Sequence, residues 1–339
     1  MYSNRLIFKT SDNDEIFYLK HTILINFNVN RNGISSSELN SGVNKLYKSV
    51  FNHHLSQDKI DYLENHDVRQ YLINECNLLG IDSNYSTGLI TLAEMKNVSI
   101  VCKKFKSMEV TAIVTAGVRT NASRAGDEAS YWQENGEFHF GTINIIILTN
   151  VCLDKSTLTE AFMTVTEAKT VALNNLRIPS QYSNGFATGT GTDGVAIFSN
   201  VDSDNILTNA GKHSKFGELI ARAVIEAILK AIKKQVWITN KSQSNALVRL
   251  NRYKLDINQF YNNLNEDKLV FIKQLKIDSK KQENVAITSS ILNLIDEVEN
   301  SLIQRQQAYE LAIKIKENCN SYPIKKLLEY WINYFIHPN

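Results

Sequence analysis

Apolar and polar positions alternate differently in three parts of the chain. In the first, the short apolar runs Arg5–Lys9, Ile16–Leu19 and Thr22–Phe27 read as strands. Helices are expected near Ser36–Phe51 and Val68–Leu79, the second closed by Gly80. In the middle, VSIVCKKF (98–105) and EVTAIVTAGV (109–118) are separated only by Lys106-Ser107-Met108, which predicts an antiparallel hairpin. TINIIILTN (142–150) is apolar on nearly every residue, as a strand covered on both faces should be. A helix is expected from Asp154-Lys155-Ser156 to about Leu176, with Leu158, Phe162, Val165, Ala172 and Leu176 on or near one face. VAIF (195–198) then reads as a strand, and the order strand, helix, strand predicts a right-handed crossover between parallel strands.

Over 217–235 the stripe Leu219, Ile220, Ala223, Val224, Ala227, Ile228, Ala231 and Ile232 predicts a core-facing helix. A polar break at TNKSQSN (239–245) opens the third part. There Ile287, Ile291, Leu294, Ile295, Val298 and Leu302 recur at helical spacing, and Trp331, Tyr334 and Phe335 lie near the end. The pattern predicts an α/β (α+β) fold. Residues 1–238 form a mixed β-sheet with helices packed on it, and 239–339 form an all-helical C-terminal extension.

Composition narrows the function classes. The chain has 339 residues, 43% of them hydrophobic, enough for one large core or two smaller ones. Its net charge of +2, with both signs mixed, offers no basic stripe for nucleic acid. Cys76, Cys102, Cys152 and Cys319 lie far apart with no C-x-x-C pair, which argues against a disulfide framework or structural zinc. MYSNRLIFKTSDNDE carries no signal-like apolar region, and INIIILTNVCL is too short to span a bilayer. The expectation is a cytoplasmic protein with neither nucleic acid nor membrane as partner; homo-oligomerisation stays open.

Most of the 14 glycines fall between Gly117 and Gly217, where turns and candidate chemistry concentrate. Gly189, Gly191 and Gly194 match the G-x-G-x-x-G spacing of dinucleotide sites. Such a motif follows a strand and opens a helix, however, whereas RIPSQYSNGFA before it is turn-like and Val195–Phe198 after it is strand-like. Other polar groups cluster at predicted strand ends: RTNASRAGD (119–127), the turn at Gly141 with Thr142 and Asn144, TEAKT (166–170), Thr192-Asp193 and HSKFGE (213–218). Singly, each reads as a turn, a cap or a solvated helix face. Glu167 and Lys169, two apart on a helix, point to different faces. Neither a G-x-S-x-G elbow nor H-E-x-x-H is present.

Taken in order, VTAGVRTNASRAGD (114–127), GTINIIIL (141–148), TEAKTVAL (166–173), FATGTGTDGVAI (186–197) and HSKFGELIARAV (213–224) resemble the adenosylcobinamide amidohydrolase family of corrinoid salvage. The likeness runs over about residues 5–235 and is weaker before 85, where RNGI (31–34) and VFNHHL (50–55) match early family segments. It implies hydrolysis of the amide between a corrin propionate and aminopropanol. No cofactor is then required of the protein itself, because cobalt arrives within the corrinoid substrate. A corrinoid-binding protein without turnover, with a partner-docking helical tail, is the other reading. On the hydrolase reading, Asp193 or Glu167 orients or deprotonates the attacking species, His213 carries a proton to the leaving amine, and Lys169 stabilises charge. Thr190 or Thr192 could be the nucleophile in place of water. Backbone donors at Gly189–Asp193 suit an oxyanion, with Thr188, Gly189, Thr190 and Gly191 lining the substrate. Asn121, Ser123, Arg124, Asp127 and Asn144 suit the amide-edged corrin ring.

Overall fold

The computed structural model describes every residue except 1–4, 64–65, 130, 133–134, 137–141, 255, 263, 265–266 and 338–339. The expected turn at Gly141 lies outside the described residues. The chain forms two compact units, Met1–Ile238 and Thr239–Asn339.

In the first unit, β1 (Arg5–Lys9), β2 (Glu15–Leu19), β3 (Thr22–Ser35) and β4 (Gly42–His54) lead to α1 (Gln57–Leu63), α2 (Val68–Leu79) and β5 (Ser86–Thr91). Then come β6 (Ser99–Phe105), β7 (Met108–Ala116) and the short strands β8 (Ala122–Ser123), β9 (Tyr131–Trp132) and β10 (Asn135–Gly136). β11 (Ile143–Thr149), β12 (Cys152–Leu153), α3 (Lys155–Asn175), β13 (Gly189–Thr190), β14 (Gly194–Asn200), β15 (Ile206–Leu207) and α4 (Lys215–Val236) complete it. The main sheet runs β1-β2-β3-β14-β11-β7-β6, with β4 and β5 branching from β3.

The hairpin of β6 and β7 forms as expected, and β11 pairs parallel with β14 across α3. Alternation along each strand sorts the core into layers. Ile143, Ile145 and Ile147 of β11 join Ala168, Ala172, Val224 and Ile228 of α3 and α4. Ile146 and Leu148 face the other way, onto Ile23, Ile25, Val50 and Leu89 of β3, β4 and β5. Leu24 and Phe51 point outward again, onto Tyr71, Leu72 and Cys76 of α2. The order is therefore helices, strands, strands, helices.

The segment expected as a helix over Ser36–Phe51 is instead largely β4, paired with β3 along its length. Gly42 sits at φ +71°, which breaks a helix there, and the cross-strand partners of Val43, Tyr47 and Val50 outweigh their helix-compatible spacing. β3 also extends beyond Phe27 through the polar NVNRNGIS. Two register shifts bend it, so that its second half pairs with β14. Gly33 permits that pairing, since a Cβ there would lie 2.5 Å from the Ile197 carbonyl oxygen. Arg31, only 1% exposed, donates to the Thr149 carbonyl at 2.7 Å, to Asp12 at 2.8 Å and to the fully buried Asp14.

In the second unit α5 (Asn240–Gln243), α6 (Ala246–Leu250), α7 (Ile257–Asn262), α8 (Lys268–Asp278), α9 (Gln282–Glu299), α10 (Arg305–Glu317) and α11 (Tyr322–Phe335) enclose Phe271, Leu275, Ile291, Leu327 and Trp331. No helix among the described residues is long and apolar enough to cross a membrane.

Replacing Arg31 with Met should cost about 3–5 kcal/mol, because it strands the buried Asp14 carboxylate without its cation. Guanidinium unfolding of the two proteins measures this, and an unchanged midpoint would show that Arg31 is dispensable. A second expectation concerns His53, which is buried with Thr22 Oγ1 2.8 Å from its Nδ1 and Glu75 3.7 Å away. Burial lowers its pKa from 6.5 to about 4, against the pull of Glu75. The unfolded chain therefore binds this proton first. Stability should fall as pH drops from about 6.5 towards 4, by on the order of 3 kcal/mol in all. His53→Gln should flatten that part of the stability-pH curve.

Candidate active site

Because β11 and β14 run parallel, their N-terminal ends share one edge of the sheet, where antiparallel β7 ends. The segment after β7 returns to this edge. β8 pairs with β13, setting Ser123 opposite Gly189 and Ala122 opposite Thr190. Thr188 N donates to the Ser123 carbonyl at 2.9 Å, and Ala125 N donates to Thr188 Oγ1 at 2.9 Å. Thus two stretches that are 60-odd residues apart in sequence form one polar rim. Arg124 is exposed at this rim, its side chain lying over Gly185, where a Cβ would meet Arg124 Cδ at 2.6 Å.

Asp127 holds the turn itself: its carboxylate accepts from Arg124 N at 2.7 Å and from Ser180 Oγ at 2.5 Å. Burial raises its pKa, but hydrogen bonds from Ser180, Ser183 and Arg124 outweigh this and leave it below the ordinary carboxylate value.

Asp193 organises the rim. The turn Gly191-Thr192 leads directly into the strand at Gly194, not into a helix, so the dinucleotide reading is removed. The Asp193 carboxylate accepts from Thr190 N at 3.0 and 3.1 Å, from Thr190 Oγ1 at 2.5 Å, from Ile143 N at 3.2 Å and from Lys169 Nζ. The Lys169 and Asp193 side chains are each 10% exposed. α3 supplies Lys169 from its buried face, beside Ala168 and Ala172. Gly189 makes the approach sterically open: a Cβ there would lie 2.2 Å from Asp193 Oδ2 and 2.7 Å from Lys169 Nζ. Thr192 Oγ1 lies 2.7 Å from Thr142 Oγ1 and closes the same turn against the start of β11. Gly191 is exposed at its tip.

Glu167 and His213 belong to a second group. Glu167 leaves α3 on the other side and pairs with Lys212 at 2.6 Å. His213 is exposed in the turn before α4, next to Ser214, whose side chain caps that helix by accepting from Gly217 N. This turn is tied to the first half of α3: Thr164 Oγ1 donates to the Ala210 carbonyl at 2.8 Å, and Ala210 N donates to Glu160 at 2.9 Å. Lys169, Thr190, Thr192 and Asp193 therefore converge, while Glu167 pairs with Lys212 and His213 follows Lys212 in the exposed turn.

Asn121 and Asn144 are buried, at 0% and 1% exposure. Asn144 Nδ2 donates to Asn52 Oδ1 at 2.8 Å and to the Ile90 carbonyl at 3.0 Å. Asn52 in turn donates to Thr115 Oγ1 at 2.8 Å. Gly194 leaves room for Asn144, whose Oδ1 would lie 2.6 Å from a Cβ there. This network braces the sheet edge beneath the rim. Asn52 does not stand out in the sequence; the signal available is a single amide inside the strand VFNHHL.

Comparison with known proteins gives this edge a family. The adenosylcobinamide amidohydrolase (CbiZ) family profile matches residues 7–240. The uncharacterized protein MJ1613 of Methanocaldococcus jannaschii is 33% identical over 228 residues, covering 63% of this chain and 86% of that protein. The adenosylcobinamide amidohydrolase of Methanosarcina mazei is 29% identical over 187 residues, covering 50% of this chain and 82% of that protein. Among solved structures, the PH0078 protein from Pyrococcus horikoshii OT3 aligns at 12% identity with a TM-score of 0.30, over 69% of this chain and 83% of that one. The matched region holds both polar groups described above, and by that match the chain belongs to the adenosylcobinamide amidohydrolase family.

Proposed function

We propose that the protein hydrolyses the amide joining a corrin propionate side chain to aminopropanol in adenosylcobinamide. Water is consumed, the C–N bond breaks, and adenosylcobyric acid and 1-amino-2-propanol leave, the acid re-entering cobamide synthesis. Family membership supports the reaction class. The observation that carries the assignment of residues is the Lys169–Asp193 pair beside Gly189. Burying two charges is costly, so a pocket that only held an amide-edged ring would be served as well by neutral groups. In this reading cobalt is cargo of the substrate.

Amide hydrolysis needs an activated nucleophile, a group that stabilises the oxyanion and a proton for the amine. In this reading Asp193 accepts the proton of the Thr190 hydroxyl, or of a water oriented at the same position, and passes it to the leaving amine nitrogen. Lys169 supplies positive charge next to the turn, where Gly189 lets substrate approach the backbone closely. Glu167 is already paired with Lys212 and, with His213, is assigned to the surface and not to the reacting bond.

Incubation with adenosylcobinamide, followed by mass spectrometry, should show adenosylcobyric acid; tight binding without product would favour the non-catalytic reading. Lys169→Met and Asp193→Asn should each lower kcat by on the order of 10²–10³-fold, the scale of a lost charge-stabilising group. The double variant should regain stability but not activity. Glu167→Gln and His213→Ala should retain most of kcat, and a comparable loss there would move the chemistry to the Lys212 group. Gly189→Ala tests the geometry independently. Its methyl overlaps the charged pair, so turnover should fall as far as in Asp193→Asn, and near-normal turnover would show that the pair is not required in this arrangement.

A further inference from the structure

Between the two layers of strands, the facing rows of side chains are apolar until they reach the polar edge. Val50 of β4, Ile113 of β7 and Ile146 of β11 belong to one apolar cluster. Two residues nearer the edge on the same strands stand Asn52, Thr115 and Asn144, all three buried. Thr115 and Asn144 are register partners across β7 and β11. Asn52 reaches over from the facing layer and spans both. Its Oδ1 accepts from Asn144 Nδ2 at 2.8 Å, and its Nδ2 donates to Thr115 Oγ1 at 2.8 Å. Asn144 is also the register partner of Gly194, which follows Asp193. The residue before Asn144 is Ile143, whose N–H donates to the Asp193 carboxylate at 3.2 Å.

We infer that Asn52 is a positioning residue for the reaction: through Asn144 it fixes the start of β11, and with it the backbone N–H that holds Asp193. The role in turnover rests on the hydrolase reading. Packing alone does not call for an amide here. Apolar side chains fill the next rung of each row, and exchanging a hydrogen-bonded group and its partners for apolar groups of similar shape is close to neutral for stability. Direction is what the amide adds. Apolar contact is non-directional and tolerates sliding, whereas two hydrogen bonds from one planar amide hold β4, β7 and β11 in a single relative position. Among the described residues the Asn52 side chain bonds to Asn144 and Thr115, and not to Lys169, Thr190 or Asp193, so it acts through them.

Two variants of the full chain separate position from stability. Asn52→Leu strands two buried polar partners and should melt lower than the parent. The apolar triple variant N52L/T115V/N144L should regain most of that loss. In both, kcat for adenosylcobinamide should fall by about 10²-fold, the effect of misplacing a reacting group by about 1 Å, while KM stays within about threefold. Amide hydrogen exchange at Ile143 should quicken by about tenfold or more in both, with Ile146 as protected as in the parent. Parent-like kcat and Ile143 protection in Asn52→Leu would overturn the inference. So would their recovery in the triple variant, because Asn52 would then only fill space. Hydrogen exchange needs no substrate. If the parent forms no adenosylcobyric acid, the hydrolase reading fails by itself, and exchange at Ile143 still decides whether Asn52 positions β11.

Discussion

The polar end of the sheet is built around one charged pair that is almost sealed from water. A lysine and an aspartate at 10% exposure persist only when each finds enough partners to replace hydration. Asp193 finds them in Thr190, in the first backbone N–H of β11 and in Lys169. That requirement joins three pieces of chain that are distant in sequence. Lys169 comes from α3, Asp193 from the turn before β14, and Thr190 from β13, which pairs with β8.

Glycine makes these approaches sterically open. Gly189 and Gly194 occur at dinucleotide spacing, yet their backbones come close to the protein's own side chains, the Lys169–Asp193 pair and Asn144. The same device recurs away from the site. Gly33 lets β3 pair with β14, and Gly88 leaves room for the ring of Phe51, which would lie 2.2 Å from a Cβ. A glycine pattern thus records how closely backbones and side chains approach, and it names no ligand.

Helix periodicity divides the polar residues into two sets. Glu167 and Lys169 are neighbours in the motif TEAKT, but a spacing of two turns them to different partners, Lys212 and Asp193. Among the residues proposed to bind substrate, Asp127 closes its own turn and Asn144 spends both amide hydrogens inside the fold. Arg124, Thr188 and Gly191 are left on the accessible side of the rim.

By itself the sequence determined the elements whose burial is local and periodic. The hairpin at 98–118, the doubly covered strand at 142–150, the long helices and the all-helical tail were legible because each covers its apolar side at a regular spacing. The ordered motifs likewise carried the family. Tertiary structure alone decided what depends on distant partners. Residues 42–54 have a spacing that also suits a helix, and pairing with β3 makes them a strand. Arg31 lies in the polar stretch NVNRNGIS, and contacts with Asp14 and Thr149 bury it. Taken singly Asp193 reads as a turn residue, and only the family resemblance gives it a part in the chemistry. Its place at the centre of the rim follows from Lys169, 24 residues earlier, because an electrostatic contact is set by separation in space and leaves no periodic trace in the chain.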